Sequence, residues 1–131
     1  MEKETLKQRS DRILHLLKER FPQAEAFDLD GNGNHFVSEV EPTREHPEYD
    51  KAVEVIIKSK PHKHLKMIQD YEVLSGTLEL HIDGTITRLK TGDTLTVLPG
   101  AVHWAKSDNE AWVEIVSHPG WTKEDHIPVE L

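Results

Sequence analysis

From Phe27 onward the apolar residues of this chain recur with a period of two, and that alternation limits the fold more than any other feature. Val53, Val55 and Ile57 alternate with Glu54, Ile56 and Lys58, and Leu78, Leu80 and Ile82 alternate with Glu79 and His81. Successive side chains of a strand point to opposite faces, so each run reads as a strand with one buried face. Further short strands are expected near 62–68, 85–90, 93–98, 101–107 and 111–117. Asp83-Gly84 supplies a hairpin turn, since both residues tolerate positive φ. Other turn signals fall at Ser75-Gly76, Thr91-Gly92-Asp93, Pro99-Gly100 and Asp108-Asn109. Many short strands with regular turns predict an all-β sandwich or barrel over 27–131.

Before Phe27 the period is helical. Leu6, Ser10, Ile13, Leu17 and Phe21 share one face, Leu14 and Leu16 widen it, and Pro22 ends it, so residues 2–21 read as a helix. That N-terminal unit, 1–22, should pack on the barrel or on a partner subunit, and a homodimer is expected. The 131 residues fit one domain, and there is no cysteine. Disulfides, thiolate metal sites and a cysteine nucleophile are excluded, and a reducing, cytoplasmic setting fits. The charged N-terminus lacks a secretory apolar run, and no stretch reaches a membrane span. A net charge of −8 without a basic stripe excludes nucleic acid as a partner.

Chemistry concentrates where two histidines are separated by one residue. On a strand, His62 and His64 point to the same face and can converge on one ion. Gln69 follows after four residues and Gly76 after six more. Further on come Gly92, Pro99-Gly100 and then His103, three residues beyond Gly100. This spacing resembles the two motifs of the cupin superfamily over about residues 55–117, with a short stretch, Thr77–Thr91, between them as in compact microbial cupins. The resemblance implies a small double-stranded β-helix (jelly-roll, RmlC-like) barrel behind an N-terminal helix. It also implies one divalent metal ion on His62, His64, Gln69 and His103. Imidazole and oxygen donors suit Zn, Ni, Fe, Mn or Cu.

Two positions depart from the family pattern. Leu98 stands for the first proline of the second motif, and Gln69 stands for the usual glutamate. The second change matters more, because a neutral amide leaves the full double charge of the ion in the site. A stronger Lewis acid and an attraction for an anionic small-molecule substrate follow.

Asp28-Leu-Asp30-Gly-Asn32-Gly33 with Glu39 matches the spacing of an EF-hand loop. His35 at an aliphatic position, Pro42 and the strand-like run 35–40 argue instead for a tight turn into a strand.

Tyr71 and Val73 share the alternation of Gln69 and should face the interior, Tyr71 as a hydrogen-bond donor to substrate or as a wall residue. Lys66 shares parity with His62 and His64 and reaches the cavity mouth or solvent. On the last strand, the set Trp112, Glu114, Val116 or the set Val113, Ile115 faces inward. An inward Glu114 would be a general acid or base. The ligand set with Gln69 also resembles the cupins that open unsaturated uronates, which keep an acid on the last strand and then a Pro-Trp segment. Here those features correspond to Glu114 and to Pro119-Gly120-Trp121, with an extra glycine. The expected function is therefore a metal-dependent isomerase- or lyase-type enzyme moving a proton on a small sugar or sugar acid. An iron dioxygenase and a non-catalytic ligand-binding cupin are the alternatives, since the fold hosts all three.

Overall fold

A computed structural model describes residues 3–131. Helix α1 spans Leu6–Arg20, starting later than the expected 2–21, and Glu2 lies outside the described residues. Thr5 sets the start: its hydroxyl accepts the Gln8 amide, and the Gln8 side chain accepts the Thr5 amide in return. The helix stops at Phe21, before Pro22.

Ten strands follow: β1 (Ala26–Asp28), β2 (His35–Glu41), β3 (Asp50–Lys58), β4 (His62–Lys63), β5 (Ile68–Ser75), β6 (Thr77–Ile82), β7 (Thr85–Lys90), β8 (Thr94–Val97), β9 (His103–His118) and β10 (Ile127–Pro128). All pairings are antiparallel. The spine is β9, whose C-terminal half lies between β3 and β5, while its N-terminal half meets β6 and β4. One 16-residue strand thus replaces the two expected near 101–107 and 111–117. Asp108-Asn109 does not end it. Ile56 opposes Ala111 while Lys58 opposes Lys106, so residues 107–110 bulge outward where the strand changes partners. The expected strand 62–68 is cut short after Lys63, where the chain turns toward β5.

The Asp83-Gly84 hairpin forms as expected, with φ of 48° and 84°. Gly76 is required for a different reason. A Cβ there would lie 2.7 Å from the Glu110 carbonyl oxygen, where β5 passes against the bulge.

Two apolar layers result. Inside the barrel, Ile56, Tyr71, Val73, Leu80, Val113 and Ile115 form one core with their neighbours. On the outer face of β2, β3 and β9, Phe36, Val53, Val55 and Trp112 pack against Ile13 and Leu17 of α1. The helix therefore covers the sheet from outside, and the Arg20 guanidinium sits 4.5 Å from the Trp112 ring. Among the described residues, no helix is long and apolar enough to cross a membrane.

Candidate metal centre

The structure brings His62, His64 and His103 together, all buried, with candidate ligand atoms within 4.8 Å of one another. His62 and His103 are direct cross-strand partners between β4 and β9. His64 lies just past β4, in a loop tied to the Pro99-Gly100 turn by the Gly100 amide donating to the His64 carbonyl (2.6 Å). Gly100 holds a φ of 84°, which a side chain would disfavour.

Each ring has one nitrogen fixed by the backbone. Nδ1 of His62 donates to the Lys60 carbonyl (2.8 Å), that of His64 to the Asp125 carbonyl (2.8 Å), and that of His103 to the Ala101 carbonyl (3.0 Å). All three Nε2 atoms are left with lone pairs, the arrangement in which imidazole ligates. Burial disfavours the imidazolium, lowering His62 to about 2 and His103 to about 4, and it lowers His64 as well. The neighbouring imidazoles add to the effect at His62 and His103.

Gln69 opens the inward face of β5. Its amide nitrogen donates to Ser117 Oγ (3.4 Å), which turns Oε1 toward His103 Nε2 at 3.0 Å. With Nδ1 of His103 carrying the proton, both atoms are acceptors. A cation between them resolves that conflict, and adjacent donors on an ion with bonds of about 2.1 Å lie about 3 Å apart. Nε2 of His64 is buried with no partner at all, a vacancy in hydrogen bonding that a metal bond would fill. The residues present fit a divalent ion.

A cavity of about 310 Å³ adjoins this cluster and reaches it at Gln69. Phe27, Val37, Ile115 and Trp121 give it apolar walls. Its charge comes from Glu39, Glu41, Asp50 and Glu54 against Arg44 and Lys51, so acids outnumber cations. Arg44 lies 3.4 Å from Glu39 and Lys51 lies 3.5 Å from Glu41, which leaves no free cation for an anion among the lining residues. Lys66, exposed in the loop after His64, is not among them.

Glu114, the acid singled out on the last strand, falls on the wrong face. It pairs with Val53 and shares the outer face with Trp112, where its carboxylate lies 3.9 Å from Lys51. The inward set is Val113, Ile115 and Ser117. Tyr71 does face inward, buried and edge-on to His103 with centroids 6.4 Å apart, and burial raises its phenol well above the usual value.

Sequence reasoning missed two inward carboxylates, both on β3. Asp50, Ser117 and Gln69 form one row across β3, β9 and β5. Asp50 accepts the Trp121 amide and the Thr43 hydroxyl, and burial nevertheless raises its carboxyl above the ordinary value. Glu54, four residues along on the same face, contacts His35. Burial opposes a charge on His35, but the Glu54 carboxylate outweighs it and holds the imidazole above its ordinary value. His126 is a third residue with no signal in the motif spacing: its ring stacks on His62 at 4.7 Å and lies 5.7 Å from Trp121.

The loop with calcium-like spacing is a turn. Asp28 Oδ1 accepts the Gly31 amide and Oδ2 the Gly33 amide, while Asn32 accepts the Asn34 amide.

Residues 54–119, about half of the chain, match the family model described as Cupin domain, and the chain belongs to that family. An uncharacterized protein of Aquifex aeolicus (strain VF5) is 33% identical over 72 residues, a match spanning 54% of this chain and 60% of that relative. Among solved structures, Streptomyces PAC13 with uridine is similar at a TM-score of 0.71 and 15% identity, covering 85% of this chain and 88% of that one. Pac13 is described as a nucleoside dehydratase. An RmlC-like cupin from Shewanella frigidimarina is similar at a TM-score of 0.66 and 21% identity, covering 79% and 89%. These structural likenesses show the fold. The enzymes among them make catalysis a reading to test here.

Proposed function

We propose that this cupin is a metal-dependent enzyme of the lyase or isomerase type, acting on a small, uncharged, hydroxyl-rich molecule such as a sugar or a nucleoside. The observation that carries it is the row Asp50–Ser117–Gln69, which sets a buried carboxylate beside the metal centre in the wall of one cavity. A divalent ion held by His62, His64, Gln69 and His103 supplies Lewis acidity toward a carbonyl or hydroxyl oxygen. Asp50 supplies the proton transfer: its raised carboxyl retains a proton closer to neutral pH than an exposed aspartate does. Ser117 links it to Gln69. Tyr71, buried edge-on to His103 and locked in its neutral form, cannot serve as a base near neutrality. The excess of acids in the cavity turns the substrate class from a sugar acid toward a neutral sugar.

The test is a panel of neutral sugars, nucleosides and uronates with zinc-, iron- and manganese-loaded protein in deuterium oxide, reading product and deuterium incorporation. Asp50→Asn keeps an acceptor for the Trp121 amide, so it should retain fold and metal while losing about 10²–10⁴ in rate. Unchanged turnover in that variant removes Asp50 from the chemistry. A ligand-binding protein without turnover is the second reading. It is favoured by the His35–Glu54 contact, which satisfies the other inward carboxylate. Binding without turnover across the panel would select it.

A further inference from the structure

We propose that Asp125 is a positioning residue of the metal centre, so that the C-terminal segment 123–129 sets the affinity of the ion. The inference rests on the reading that the histidine cluster binds a metal. Asp125 sits in a short 3-10 turn, Lys123–Asp125, and is 61 residues from His64 in sequence yet buried against it. Its carboxylate accepts three consecutive backbone amides of the ligand loop. Oδ1 takes Leu65 (2.8 Å) and Lys66 (3.1 Å), and Oδ2 takes Met67 (3.1 Å). Its own carbonyl takes His64 Nδ1–H at 2.8 Å.

One residue therefore fixes both the path of the loop between His64 and Gln69 and the tautomer of His64. The segment continues this grip on the other side. Ile127 and Pro128 in β10 pair with Lys63 and His62, and the Val129 amide donates to the Pro61 carbonyl (3.1 Å). Residues 61–67 are thus held between Asp125 and β10. A buried carboxylate must be fully hydrogen-bonded to persist, and here every bond it makes goes to the ligand loop. Outer partners of this kind typically govern metal affinity by 10–100-fold.

Asp125→Asn is the informative change. Its NH2 group would face at least one of the amide donors, so the loop loses part of its anchor while the side chain keeps its volume. Zinc affinity, read by competition with a chromophoric chelator, should fall about 10–100-fold, and the exposed neighbour Glu124→Gln should bind as the parent does. Equal affinity in parent and Asp125→Asn overturns the positioning role. Failure of the parent to bind zinc, nickel, iron or manganese instead overturns the reading of the centre itself.

Should Asp125→Asn not fold, the parent protein gives the same answer through amide hydrogen exchange with and without zinc. Coupling is reciprocal, so zinc should slow exchange at 65–67 and at 123–127 together. Protection around His62 and His103 with no change at 123–127 overturns the proposal.

Discussion

Gln69 and His103 face each other with two lone pairs 3.0 Å apart, and the chemistry of the centre turns on what relieves that contact. A carboxylate at this position would face the same lone pair and would draw the cation between them more strongly through its charge. Gln69→Glu should therefore hold or tighten zinc, while cutting by one unit the positive charge available to polarise substrate. The change also removes the donor to Ser117, so the hydroxyl that lies between Asp50 and Gln69 must turn toward the new carboxylate. We expect turnover to fall at least about tenfold with metal affinity unchanged or higher, read by chelator competition and initial rates. Weaker zinc binding with intact turnover would contradict this account. The four proposed ligands were legible in sequence because they belong to a spaced motif. Asp50 and Asp125 were not, because their places follow from strand register and from a segment that returns 61 residues later.

At the level of elements, the period of β3 is legible in the sequence, but which of its faces is interior is not. Val53 and Val55 are apolar, and an isolated barrel would turn them inward. In this fold α1 covers the outer face, so those residues are buried beneath Ile13 and Leu17, and Asp50 and Glu54 take the interior positions. The same covering sends Trp112 outward and Glu114 with it, which is why the last-strand acid misses the cavity. Alternation fixes parity, but which parity is interior depends on whether one face or both are covered. The arrangement has a measurable consequence. Leu17 is fully buried against the outer face, so Leu17→Ala should cost about 2–5 kcal/mol of stability. Zinc affinity should hardly change, since the ligands lie on the opposite side of the sheet. A urea midpoint that does not move, or a loss of zinc affinity in the folded variant, would show that helix and centre are not separated in this way.

For the whole molecule, the main consequence is where protons compete. In an exposed three-imidazole site with pKa values near 6.5, protons displace metal, and affinity falls about 10⁴-fold between pH 7 and pH 5. Here burial lowers His62 to about 2 and His103 to about 4, so these two stay deprotonated across that window, and it shifts His64 in the same direction. The cost moves to folding. The unfolded chain takes up protons on these histidines below about pH 6.5 and the folded chain does not, so metal-free stability must fall as pH drops. Each imidazole contributes up to about 1.4 kcal/mol per pH unit. His126, also lowered by burial, adds to the trend. His35 has the opposite sign: its raised pKa gives stability that is fully present below about 6.5 and lost as pH rises through its folded value, so it does not offset the loss on the acid side. Zinc affinity of the folded protein should therefore change less than about tenfold from pH 7 to pH 5, while the thermal midpoint of the chelated protein falls steadily over the same range. Affinity that collapses near pH 6 with an unchanged midpoint would mean that the three imidazoles titrate freely in the folded protein, and that burial does not keep the centre ready for its ion.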